Sequence, residues 1–221
     1  MRALAKHIRR LLAAAMIAVA GTTAVADEYW DLRTSLFGLL PIHENDIVFL
    51  GNSITDGGEF NELFEMDNIK NRGIRSDVIT GIEKRLGQVT CGHPKKIFLL
   101  IGINDVSHGL TPAQLAARYE RLVKRIRQES PDTKLYLQSV MPINNNFGRY
   151  RNLRGKEGVI RDFNKKNEEI AEANGAIFID LQPLLVDNKG NLRKDLTNDG
   201  LHLNGRGYRI WADGIRDLVK E

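Results

Sequence analysis

Cysteine is almost absent from this chain of 221 residues: Cys91 is the only one. One cysteine cannot close an internal disulfide, so the fold is not a disulfide scaffold. No cysteine and histidine cluster at metal-ligand spacing occurs, so neither a metal nor another cofactor is expected. Cys91 does not sit just after the apolar leader run, which argues against a lipoprotein anchor, and it reads as a small core or loop residue. Long hydrophobic runs are also scarce. The unbroken run Leu11 to Ala20 is too short to cross a bilayer as a helix, which needs ~20 residues. No long apolar lid or amphipathic membrane helix follows it, which argues against an interfacial lipase and a stable membrane anchor. Excess positive charge is missing as well. Residues 1–26 hold four Lys/Arg and no Asp/Glu, which leaves 28 basic and 28 acidic residues out of totals of 32 and 28. The basic balance therefore belongs to the leader and gives no warrant for a nucleic-acid partner.

The leader itself has a recognisable form. Arg2, Lys6, Arg9 and Arg10 precede the apolar run, and Ala24-Val25-Ala26 follows as a small-x-small cleavage pattern. This predicts a secretory signal peptide over 1–26 and an exported protein, periplasmic or secreted, with a single domain over 27–221. An uncleaved anchor or a buried helix is the alternative.

Beyond the leader, short apolar runs alternate with helical patterns. The runs are Ile47–Leu50, Ile97–Ile101, Leu135–Leu137 with Val140, Ala176–Ile179, and a weaker one at Ile69–Asn71. Thr111-Pro112-Ala113-Gln114 opens a helix with a capping-box pattern and proline at its first position. Val78, Ile79, Ile82 and Leu86 mark another, with Gly87 as its stop and Ser76 as its N-cap. Val159 to Ile170 and Tyr208 to Leu218 carry two more at helical spacing. The alternation predicts an α/β domain built on a five-stranded, mostly parallel sheet, with ligands at the carboxyl ends of the strands.

Ser53 stands out against that frame. Phe49-Leu50-Gly51-Asn52-Ser53 brings it off a strong strand through a glycine. None of the other serines after the leader (Ser35, Ser76, Ser107, Ser130, Ser139) is mounted that way. A serine that hydrolyses esters needs a base, a carboxylate to orient the base, and donors for the oxyanion. Asp199/His202 and Asp105/His108 both have an Asp-x-x-His spacing that can set a carboxylate against an imidazole, and spacing alone does not choose between them.

Taken together, Gly51-Asn52-Ser53, the Gly73 loop, Gly102-x-Asn104-Asp105 and Asp199-x-x-His202 resemble the GDSL/SGNH hydrolase family, from about Asp46 to the last helix. The resemblance implies a flavodoxin-like three-layer α/β/α sandwich with strand order 2-1-3-4-5. It implies Ser53 as nucleophile, His202 as general base and acid, and Asp199 as the residue that orients it. The oxyanion hole would be the Ser53 and Gly73 backbone N–H groups with the Asn104 side-chain amide, and His108 becomes a loop residue. One departure is visible. The family's usual Gly-Asp-Ser reads Gly51-Asn52-Ser53 here. Asparagine keeps the size and one acceptor but loses the charge, which reads as a local variation.

The pattern is similar to the acetylhydrolase and sialate O-acetylesterase branch, which implies removal of acetyl groups from glycans. The irregular stretch Pro142 to Gly158 is expected to border the site, with Asn144, Arg149 and Tyr150 as substrate contacts and the Arg149–Lys156 cluster pairing with an acidic sugar's carboxylate. A lysophospholipase or thioesterase of the same fold and a non-catalytic carbohydrate-binding module are the alternatives.

Overall fold

The computed structural model describes residues 27–221; the expected signal peptide lies outside the described residues. A helix over 27–39 (α1) comes first. The strand and helix order then runs β1 (Ile47–Gly51), α2 (Ser53–Asp56), α3 (Phe60–Phe64), β2 (Ile69–Gly73), α4 (Ile79–Arg85), α5 (Gly87–Thr90) and β3 (Lys96–Leu100). It continues through α6 (Ile103–Ser107), α7 (Pro112–Glu129), β4 (Lys134–Gln138), α8 (Glu157–Ala173), β5 (Ile177–Ile179), α9 (Gln182–Leu185) and α10 (Gly205–Lys220). The five strands pair in parallel in the order β2-β1-β3-β4-β5. Both the strand count and the order match the expectation.

Strands buried on both faces read as continuous apolar runs, and β1 and β3 are buried at every position. Alternation sends their side chains to opposite layers. Phe49, Phe98 and Tyr136 occupy one register row across β1, β3 and β4. Their rings stack at 5.0 and 4.4 Å between centroids. Phe60 of α3 stacks on Phe49 at 4.0 Å, and Trp211 of α10 meets Phe60 edge-on. This face is closed by α3, α9 and α10, while α4, α7 and α8 pack together over the other.

Local chemistry explains where the elements begin. The Thr111 hydroxyl accepts from Gln114 N and the Gln114 side chain accepts from Thr111 N, so the predicted capping box forms. Lys96 is buried, and its Nζ donates to the Leu218 and Val219 carbonyls at 2.7 and 3.0 Å. A cation is favoured at a helix C-terminus, so this lysine fastens the end of α10 to the start of β3. Two expected boundaries shift. Gly87 opens the short α5 instead of ending α4. Ser76 is not an N-cap: α4 starts after Val78, and the carboxylates of Asp77 and Asp105 accept from Val78 N and Ile79 N.

Candidate active site

The β1–α2 turn is tightly specified. A Cβ at Gly51 would strike Thr55 Oγ1 and the Leu100 carbonyl, so only glycine lets the strand end pass its neighbour. Asn52 follows, fully buried, and its Oδ1 accepts from Ile54 N at 3.0 Å. A neutral acceptor thus caps α2 and braces the serine turn, with no charge to bury. Asn71 of β2 holds the turn from the other side, its Nδ2 donating to the carbonyls of Thr55 and Gly58 at 2.7 and 2.8 Å. The Tyr208 hydroxyl donates to Ile54 O at 2.7 Å.

Ser53 Oγ lies 2.9 Å from His202 Nε2. His202 Nδ1 lies 2.7 Å from Asp199 Oδ2. With Nδ1–H donated to the carboxylate, Nε2 is left to accept the serine proton. The structure thus brings Ser53, His202 and Asp199 into one chain of hydrogen bonds, and sets Asp105/His108 apart. Asp105 is buried, whereas His108 is exposed on the turn after α6. The Asp199 turn is shaped by Gly200, whose φ of 88° is in the left-handed region and whose Cβ would meet the Asn144 carbonyl. Asp199 Oδ1 accepts from the backbone N–H of Leu201 and His202 at 2.9 and 2.8 Å. Burial alone would raise this carboxyl. The hydrogen bonds from His202, Leu201 and Tyr150 outweigh it and hold Asp199 well below the usual carboxylate range.

These residues open on a cavity of about 810 Å³ that also touches Arg75, Ser76, Asn104, Arg149, Tyr150 and Arg151. One Asn104 Nδ2 hydrogen is donated to the Asp77 carbonyl at 2.8 Å, which fixes the amide and leaves its second hydrogen for the cavity.

Two expected contacts fall elsewhere. Gly73 does not line the cavity, and its N–H is donated to Asn71 Oδ1 at 2.8 Å. Its glycine is required because a Cβ would run into the Asp56 backbone, so Gly73 brings β2 against the serine turn. Ser76, three residues on, lines the cavity at a φ of 62°, and among the described residues its N–H has no partner. Asn144 is buried outside the cavity. Its N–H donates to Gly200 O and its Nδ2 to Leu192 O, both at 2.8 Å, so it ties the loop to the Asp199 turn. Arg149 and Tyr150 do line the cavity, and the Pro142–Gly158 stretch borders it as expected.

Several supports were invisible to motif reasoning. Arg85 is buried in α4, with Nε 2.8 Å from Asp77 Oδ2 and Nη2 donating to Gly51 O and Arg72 O at 3.1 and 3.0 Å. It joins the ends of β1 and β2 to the Ser76–Asp77 turn. Burial pushes Asp77 up and Arg85 down despite their pairing. From α1, the Tyr29 hydroxyl donates to the Asp56 carboxylate at 3.1 Å and Trp30 Nε1 to Asp77 Oδ1 at 3.2 Å. An arginine on the apolar stripe of Ile82 and Leu86, and an aromatic pair just past the leader, were the available signals.

A sequence model of the GDSL-like lipase/acylhydrolase family matches residues 49–210. The chain therefore belongs to the GDSL-like lipase/acylhydrolase family, whose members hydrolyse acyl esters. Among solved structures it is similar to a Streptococcus pneumonia protein assigned provisionally as a platelet activating factor. That match has 26% identity and a TM-score of 0.82, covering 92% of this chain and 98% of the other. An acetyl-xylooligosaccharide esterase variant from Geobacillus Stearmophilus shares the fold at 20% identity and a TM-score of 0.63, covering 80% and 95% of the two chains. An N-acylneuraminate cytidylyltransferase of Escherichia coli O18:K1:H7 is 30% identical over 181 residues, 80% of this chain but 41% of that protein. The chain spans less than half the length of that relative, and cytidylyl transfer does not carry over.

Proposed function

We propose that this protein is an exported serine esterase that removes short acyl groups, acetyl first, from an acidic sugar. The observation that carries the reading is the Ser53–His202–Asp199 chain at 2.9 and 2.7 Å, opening on a cavity with basic walls. Ser53 Oγ attacks the ester carbonyl while His202 Nε2 takes its proton. Asp199 keeps the imidazole in the right tautomer and offsets the imidazolium charge. The oxyanion is met by the N–H groups of Ser53 and Ser76 and by the free hydrogen of Asn104 Nδ2. Collapse expels the sugar hydroxyl, which takes the proton from His202. Water then repeats the sequence on the acyl-serine, releases the carboxylic acid and restores Ser53.

The sugar is inferred from charge. Arg149 and Arg151 stand on the cavity wall, and a guanidinium suits a carboxylate. Arg75 is already engaged by Asp56 at 3.0 Å. The acetylated glycan in the name of the Geobacillus esterase supports the acetyl half of this reading. The 1–26 pattern supports export. The test is an acyl-length series of p-nitrophenyl esters run beside acetylated sialic acid and acetylated xylan. Steep loss beyond C2–C4 with a preference for the acidic sugar is expected. A maximum at C8 or longer makes it a lysophospholipase or thioesterase, and failure of a fluorophosphonate to label Ser53 makes it a binding module.

A further inference from the structure

The Tyr150 hydroxyl does not point at open cavity. It donates to Asp199 Oδ2 at 2.8 Å, the same oxygen that takes His202 Nδ1–H, and its own oxygen lies 3.1 Å from His202 Nδ1. The ring stands edge-on to the imidazole, centroids 5.7 Å apart at 67°. We infer that Tyr150 is a positioning residue for the base, a loop-borne phenol that fixes the Asp199–His202 pair and sets how strongly the carboxylate supports the imidazolium. The inference rests on the esterase reading of Ser53, His202 and Asp199.

Three observations carry it. First, Asp199 already has both backbone donors on Oδ1, so Tyr150 and His202 divide Oδ2 between them. A donor sharing that oxygen draws charge from the bond to histidine. Second, the phenol stays protonated at any working pH: burial and then the neighbouring Asp199 push it up to about 12, against the weaker pull of Arg149. It is a permanent donor. Third, the loop is built to hold it there. Asn144 ties the loop's start to Gly200, beside Asp199, and Asn145 Nδ2 donates to Glu157 Oε1 at 2.6 Å near its end. A hydroxyl so engaged is not free for substrate, which removes Tyr150 from the set of direct sugar contacts and leaves Arg149 and Arg151 for that role.

The charged groups facing the pair are Asp199 itself and the cavity arginines Arg75, Arg149 and Arg151. A guanidinium keeps its charge at any working pH and Asp199 is held well below the usual carboxylate range, so a shift in the base's titration reports Tyr150. Tyr150→Phe keeps the ring and deletes the donor. Full charge then returns to the bond with His202, the protonated imidazole gains, and the base titrates at higher pH by about 1 unit, the low end of one hydrogen bond to a charged group. The experiment has two arms. In kinetics on p-nitrophenyl acetate, Tyr150→Phe lowers kcat about 3–10-fold at nearly constant KM and moves the acid limb of kcat/KM upward. In the Ser53→Ala background, an NMR titration of the His202 ring shows the same upward move, with no need for activity. Replacing Tyr150 by 3-fluorotyrosine, a stronger donor, moves the midpoint the other way and serves if the phenylalanine variant misfolds. An unmoved midpoint, with KM for the sugar raised and kcat kept, makes Tyr150 a substrate contact and overturns the inference. Absence of Ser53-dependent hydrolysis in the wild type sinks the esterase reading instead, and the NMR arm still decides Tyr150.

Discussion

Replacing Arg85 by methionine tests how the site is held up. The substitution keeps most of the side-chain volume in α4 but deletes the guanidinium that pairs with Asp77 at 2.8 Å and donates to the Gly51 and Arg72 carbonyls. Both partners are about 1% exposed at their side chains, so Asp77 is left as a buried, unpaired carboxylate. Breaking such a pair costs about 3–5 kcal/mol, a large part of the ~5–15 kcal/mol that holds a typical domain together. Urea denaturation at pH 7 should show that loss. Burial already raises Asp77 in the native protein, and without Arg85 the rise is greater. A carboxyl raised in the folded state binds its proton more tightly there than in the unfolded chain, so the deficit shrinks as pH falls through the raised value. The double variant Arg85→Met with Asp77→Asn removes the stranded charge and should recover about half of the loss or more. Turnover should fall with the single change too, because the Asp77 carbonyl anchors the Asn104 amide at 2.8 Å. A single-variant loss below about 1 kcal/mol, or a deficit that grows on acidification, refutes the reasoning.

Two other predictions concern the third strand's turn. Asn104→Ala should lower kcat about 10²–10³-fold with the fold intact, the usual cost of one oxyanion donor; a change under tenfold on p-nitrophenyl acetate removes Asn104 from that role. Asp105→Asn should stabilise the protein at neutral pH. Burial raises the Asp105 carboxyl to about 6 from an ordinary 3.8, so its contribution to stability falls as pH rises between those values. The amide escapes that loss, a gain of at most about 3 kcal/mol at pH 7 that vanishes near pH 4. Equal melting shifts at both pH values count against it.

The strands β1, β3 and β4 were legible because each is a strong apolar run, and α7 announces its start through Thr111 and Gln114. The strand order came from the resemblance, since β2 (Ile69-Lys70-Asn71-Arg72-Gly73) carries little apolar signal of its own. Ser53 and His202 were legible because few serines and histidines compete, and resemblance separated Asp199/His202 from Asp105/His108. Gly73 lies off the cavity for a physical reason. Glycine is the residue expected where a backbone must bend unusually, so Gly73 drew attention. Here Gly73 serves a close approach to Asp56, and Ser76 takes the left-handed conformation at a φ of 62° that glycine usually supplies. Asn144 and Tyr150 shared a basic, irregular stretch that hid two different tasks. One fastens the loop and the other reaches the carboxylate, and only the return path of the chain distinguishes them.

The helix over 27–39 adds something that the family's motifs do not contain. Tyr29 and Trp30 stand two and three residues after Asp27 and grip the carboxylates of Asp56 and Asp77, next to Ser53 and the Ser76 turn. Tyr29 and Trp30 therefore belong to the support of the site. Trimming that ends at Ala26 spares both side chains, whereas a cut after Trp30, or a bulky fusion pressed against Asp27, would reach the serine through its supports.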